Sequence, residues 1–276
     1  MKLCRQVIQT HRKSVVKIDV SIKDEQQRRI SGYGTGFIVH MDPKFCLVMT
    51  CGHVLQDHIL GSISVSFGSI SFKATLVLCD EDKEVGMIRV DTSSNPESFG
   101  SIVNYPRVHW SDVEAQPKHL LAILSRTDDA DGYICNNPSV FHGYTQVAPR
   151  LAPTGTGRKP LHHGTADYTS VKGNSGSAIF NQQCRVVGIH IRGVGQLTLF
   201  VSLAGVALVM TEYLVRKGLM VMPQDGCGTD VAGLLNRIIA SESQVEGPAD
   251  DAGLSSSSTA AAGAGPPSAG AGTSSR

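Results

Sequence analysis

The chain has 276 residues, enough for one large or two small domains with a sizeable core. Its 25 basic and 24 acidic residues leave a formal net charge of +1, which argues against a general electrostatic grip on nucleic acid or on an anionic membrane. Low aromatic content and 29 glycines suit a turn-rich β protein.

In chain order, the N-terminal stretch carries Lys2, Arg5, His11, Arg12 and Lys13, which interrupt any apolar run of secretory-signal form. No segment approaches the ~18 apolar residues of a membrane span. The seven cysteines, at 4, 46, 51, 79, 135, 184 and 227, have no framework-like spacing. A reduced, intracellular protein of the cytoplasm or nucleus is therefore expected. Short β-type runs begin with 14–20, 36–39, 45–49, 63–67, 70–74, 76–79 and 85–90, separated by Gly, Asp, Asn and Pro. Residues 91–106 read as a crossover, and a second set of runs covers 119–124, 132–135, 143–148, 177–180, 186–191 and 197–201. Helical periodicity appears late, over 207–217 with Gly218 as its stop, and over 230–240. From residue 247 onward Ala, Gly, Ser and Pro dominate, a composition that cannot offset chain entropy by burial, so a disordered tail is expected.

The most informative segment is Val171-Lys172-Gly173-Asn174-Ser175-Gly176-Ser177-Ala178. A serine flanked by glycines gives a nucleophile room for a substrate carbonyl and a backbone free to aim N–H groups at a developing oxyanion. Serine needs a base to take its proton, and His53, in Thr50-Cys51-Gly52-His53-Val54, is the candidate. Cys46, Cys51 and His53, and the pair His162-His163, lack the CxxC or HxxxH spacing of a zinc site, so no metal is expected. Gly32-x-Gly34-x-Gly36 lacks the spacing and the following helix of a dinucleotide loop.

Four ordered segments carry a resemblance. Gly34-Thr35-Gly36-Phe37-Ile38-Val39, Thr50-Cys51-Gly52-His53-Val54, Lys83-Glu84-Val85-Gly86-Met87-Ile88-Arg89-Val90 and Gly173-Asn174-Ser175-Gly176-Ser177-Ala178-Ile179-Phe180-Asn181 fall in the order and spacing of chymotrypsin-fold serine proteases. The chain resembles the HtrA-like and plant trypsin-like branch. That resemblance implies an all-β fold of two six-stranded antiparallel barrels, followed by a C-terminal helix and the disordered tail. It places the first barrel over 13–105 and the second with its terminal helix over 106–218; helical pattern and composition then give a short helical extension over 219–246 and the tail over 247–276. It implies a serine endopeptidase acting on peptide or protein substrates without any cofactor. Ser175 would be the nucleophile, His53 the base, and Gly173 and Ser175 the oxyanion donors. The residues after 218 are few and simple in composition, so the PDZ domain that HtrA enzymes append is not expected here.

The third member departs from the family pattern. Where the family has aspartate before an apolar run, this chain has Glu84, and Asp80 and Asp82 lie nearby as alternatives. Glutamate can orient a histidine ring, provided its extra methylene is accommodated. Gly188-Ile189-His190 resembles the segment of glutamyl endopeptidases whose histidine lines the primary specificity pocket. Ser170 matches a threonine of that pocket, and Thr169 adjoins it, so a preference for Glu or Gln is implied. The competing expectation, favoured by the unusual acid, is a protease-like scaffold that binds extended peptides without hydrolysing them.

Overall fold

The computed structural model describes residues 2–23, 29–56, 61–90, 95–126, 138–152, 161–223 and 228–244. The alternating runs of the first half form β1 (Val15–Lys23), β2 (Arg29–Met41), β3 (Cys46–Thr50), β4 (Gly61–Phe67), β5 (Ile70–Asp80) and β6 (Val85–Val90), closed in the order β1-β2-β3-β6-β5-β4. Those of the second half form β7 (Leu120–Ser125), β8 (Ser139–Ala152), β9 (Leu161–Ala166), β10 (Ala178–Phe180), β11 (Val186–Val194) and β12 (Leu197–Ser202), closed as β10-β11-β12-β9-β8-β7. All neighbouring strands within each barrel are antiparallel. Closure removes free strand edges, and alternate side chains fill each interior. Phe37, Leu47, Met49, Met87 and Ile88 are buried in the first barrel, and Leu121, Ile123, Ile179 and Phe200 in the second. Each such side chain contributes roughly 1.5–3 kcal/mol over leaving it exposed.

Several elements differ from the sequence expectation. The runs 70–74 and 76–79 are one strand, bent by a register shift between Leu76 and Leu78. β9 was not expected, because Leu161-His162-His163-Gly164-Thr165-Ala166 lacks apolar alternation. It earns its place by close packing: a Cβ on Gly164 would sit 2.4 Å from the Phe200 ring. The run 132–135 and the tail from 247 lie outside the described residues.

Four α-helices accompany the barrels among the described residues. α1 (Lys2–His11) docks on the second barrel with Leu3, Val7 and His11, spaced four apart so that they share one face. The His11 ring stacks on Phe180 at 4.7 Å, and its Nε2 lies 3.0 Å from the Cys184 carbonyl oxygen. α2 (Pro96–Ile102), capped by Asn95, interrupts the expected crossover. α3 (Leu203–Arg216) is capped by Ser202, whose side chain accepts from the Gly205 N–H, and is terminated by Gly218 at φ +70°. α4 (Val231–Glu242) is capped by Asp230 and packs on α3. No helix among the described residues is long and apolar enough to cross a membrane.

Candidate active site

β3 ends at Thr50, and the chain turns into a single 3-10 turn, Gly52–Leu55, that carries His53. Two glycines let this turn lie flat against the first barrel. A Cβ on Gly52 would meet the Asp80 carbonyl oxygen at 2.6 Å, and one on Gly86 would meet Leu55 at 2.6 Å. The turn therefore sits on the β5–β6 connection, where Glu84 immediately precedes β6.

Glu84 adopts φ +58°, a left-handed conformation that costs a non-glycine residue about 1–2 kcal/mol. Its carboxylate Oε2 lies 2.8 Å from His53 Nδ1 and also accepts the His53 backbone N–H at 3.1 Å. With Nδ1–H donating to the carboxylate, Nε2 is left as the basic nitrogen. Of the alternative acids, Asp80 accepts from the Lys83 backbone N–H and from Lys83 Nζ, both at 2.8 Å, and Asp82 is exposed. Lys83 Nζ also donates to Glu212 on α3 at 2.8 Å, tying this turn to the second barrel. Burial works against the Lys83 charge, but Asp80 and Glu212 outweigh it and raise its pKa above the usual lysine value.

The serine loop meets the first barrel at the end of β3. A Cβ on Gly176, at φ +86°, would fall 2.0 Å from Thr50 Oγ1, 2.2 Å from the Thr35 carbonyl oxygen and 3.1 Å from the Cys51 nitrogen. Ser175 is thereby brought beside the segment that carries His53. Its Oγ donates to the Ile191 carbonyl at 3.0 Å rather than to the imidazole.

Several backbone groups of the loop are bonded. Asn174 N–H donates to Val171, Gly176 N–H to His190 and Ser177 N–H to Asn174. The carbonyls of Gly173 and Ser175 are held by the Thr35 hydroxyl and the Thr35 backbone N–H. Among the described residues, the N–H groups of Gly173 and Ser175 have no partner. Gly173 at φ +92° supplies the turn that an L side chain resists. Two unpaired donors, one on the serine itself and one two residues before it, can hold an oxyanion.

His190 is fully buried next to the serine loop. Its Nδ1 lies 3.0 Å from the Tyr168 hydroxyl and its Nε2 3.0 Å from Ser170 Oγ. Burial pushes His190 down to about 3, with His53 adding to the shift, and burial pushes the Tyr168 hydroxyl up. If the Tyr168 hydroxyl donates to Nδ1, the neutral ring carries its proton on Nε2, aimed toward Ser170. Sequence reasoning missed Tyr168, although a tyrosine two residues from Ser170 was the available signal. Thr169 points to solvent and is not brought to His190.

Cys51 Sγ lies 3.5 Å from His53 Nδ1 and 3.8 Å from Nε2, with Glu84 completing a group of possible metal ligands. A sulfur nearly equidistant from both ring nitrogens lies off the in-plane lone pair of either, and Nδ1 already engages Glu84. That arrangement is packing of a buried thiol against the ring. Burial, reinforced by the Glu84 charge, holds the thiol well above its ordinary pKa. Cys4, Cys46, Cys51, Cys79 and Cys184 are all free thiols.

A family model described as a trypsin-like peptidase domain matches residues 34–189, more than half of the chain. Among solved structures, the chain is similar to a serine-to-alanine mutant of Rv3671c from M. tuberculosis H37Rv in an inactive form. The identity is 19% and the TM-score 0.54, over 78% of this chain and 92% of that one. It is also similar to the Rv3671c protease in an inactive form, at 18% identity and TM-score 0.56, over 79% of this chain and 95% of the other. At these identities the likeness is one of fold. No curated protein sequence matches the chain.

Proposed function

This chain belongs to the trypsin-like peptidase domain family, and from that premise we propose that it is a serine endopeptidase working through Ser175, His53 and Glu84. Ser175 Oγ attacks the scissile carbonyl while His53 Nε2 takes its proton, and the Gly173 and Ser175 N–H groups receive the oxyanion. His53 then returns the proton to the leaving amine, and water releases the acyl group by the same route in reverse. Glu84 fixes the tautomer and stabilises the imidazolium. The observation that carries this reading is that the Gly173 and Ser175 N–H groups lack a partner among the described residues while the N–H groups of Asn174, Gly176 and Ser177 are bonded. Engagement of His53 requires Ser175 Oγ to leave Ile191 by rotation about its Cα–Cβ bond, a move between staggered wells.

A second reading draws on that same contact. A hydroxyl committed to a backbone carbonyl suits a scaffold that binds peptides without turning them over. A fluorophosphonate probe separates the two. Stoichiometric labelling, mapped by mass spectrometry to Ser175, is the expected result; a protein that stays unlabelled, or is labelled elsewhere, supports the scaffold.

We further propose that His190 and Ser170 recognise the substrate residue preceding the scissile bond, and that they favour glutamine over glutamate. A neutral Nε2–H is a donor for an amide oxygen. A carboxylate in the same place must be desolvated without a compensating charge. Because His190 stays neutral down to about pH 3, the titrating partner is the substrate glutamate, near pH 4.3. The ratio of kcat/KM for matched Gln and Glu peptides is therefore expected to rise between pH 5 and pH 8. A ratio that is flat, or that falls with pH, removes this role for His190.

A further inference from the structure

Thr35 hydrogen-bonds the serine loop to the first barrel at two points, the carbonyls of Gly173 and Ser175. It is fully buried, and every polar atom it owns is engaged across an element boundary. Its backbone N–H donates to the Ser175 carbonyl at 2.8 Å, and its carbonyl accepts from Thr50 Oγ1 at 2.8 Å. Its hydroxyl lies 2.7 Å from the Gly173 carbonyl oxygen and 3.3 Å from that of Arg126, and accepts the Arg126 backbone N–H at 3.0 Å. One hydroxyl carries one proton, so the shorter contact to Gly173 is the principal bond.

The consequence lies in which peptide planes are held. Gly173 is a glycine at φ +92°, free to rotate at little steric cost. Fixing its carbonyl on one side, while Asn174 N–H is bonded to Val171, restrains the plane that follows its own N–H. The carbonyl of Ser175 is held by the same residue. Thr35 thus constrains the backbone beside both unpartnered donors, and through Thr50 it connects them to the segment leading into Cys51, Gly52 and His53.

Building on the peptidase reading, we propose that the Thr35 hydroxyl is a positioning group for the oxyanion donors. It acts through the Gly173 carbonyl and never touches substrate. A donor displaced by a fraction of an ångström weakens transition-state binding while leaving ground-state binding nearly intact.

The test compares Thr35→Val and Thr35→Ala, which remove the hydroxyl, with Thr35→Ser, which keeps it. Removal is expected to lower kcat roughly 10- to 100-fold with KM within about 3-fold, and Thr35→Ser to stay within about 3-fold of the parent. Amide hydrogen exchange of the 171–177 peptide should accelerate in Thr35→Val and Thr35→Ala but not in Thr35→Ser. This measurement needs no turnover, so it reports on the clamp even if the fluorophosphonate experiment rejects the peptidase reading. Thr35→Ser losing as much as Thr35→Ala, or parent-like exchange without the hydroxyl, overturns the proposal. A loss of rate carried wholly in KM overturns it too. Should Thr35→Val fail to fold, the Thr35→Ala and Thr35→Ser pair decides.

Discussion

Glutamine in place of Glu84 is expected to lower kcat about 10²- to 10⁴-fold, and alanine in place of His53 or Ser175 to lower it about 10⁶-fold. The Glu84 effect follows from the lost charge. Oε2 accepts from both Nδ1 and the His53 backbone N–H, so a glutamine turns its amide oxygen to that point and leaves the imidazolium that forms without a carboxylate beside it. The 2.8 Å contact and the second bond to the His53 backbone N–H also fix where the ring stands. Glu84→Asp is the informative companion. Oε2 reaches Nδ1 at 2.8 Å with the full glutamate side chain, so a shortened acid should retract from Nδ1 and lose activity despite restoring the residue type usual in the family. Combining His53→Ala with Ser175→Ala should add little to either alone, because the groups act as one unit. Steady-state kinetics on a fluorogenic peptide checks the series, with circular dichroism verifying that each variant is folded. Full activity in Glu84→Gln would remove Glu84 from the proposed triad.

Alanine in place of Gly176 is expected to abolish activity and to destabilise the protein by about 3 kcal/mol or more. Two costs combine. The backbone sits at φ +86°, and the new methyl would overlap both Thr50 Oγ1 and the Thr35 carbonyl oxygen. A rotamer change can move the hydroxyl, but the carbonyl belongs to β2 and cannot step aside without opening the bonds from Thr35 to Ser175 and Gly173. Gly195→Ala is the control. It has a similar φ of +61° with nothing within 4 Å, so it should cost only about 1 kcal/mol and leave kcat unchanged. Urea unfolding midpoints alongside kcat separate the two positions; equal effects would mean that only backbone strain matters at Gly176.

Much of this architecture was legible in the residues because period-two alternation and turn chemistry reinforce each other in closed barrels. β4 and β6 stand nearly where their patterns place them. What escaped was structure held by individual contacts. β9 exists because a glycine meets an aromatic ring, and α1 because three residues four apart find a surface built from distant strands. At the site, the serine loop and His53 announced themselves through glycine spacing. The acid stayed open among three carboxylates, since its direction depends on one backbone angle that composition does not disclose. Tyr168 and the Thr35 hydroxyl escaped for a related reason. Each works through a partner remote in the chain, and Thr35 sat unremarked inside a motif already singled out for its glycines.

The placement of α1 bears on how the molecule is made. Residues 2–11 are translated before any of the first barrel, yet their binding surface lies on strands of the second. During synthesis that helix has nowhere to dock until the region around Phe180 and Cys184 has left the ribosome. Its burial is therefore a late, long-range step. Assembly of the two halves and capture of this helix should then appear as one slow kinetic phase, following faster formation of the first barrel.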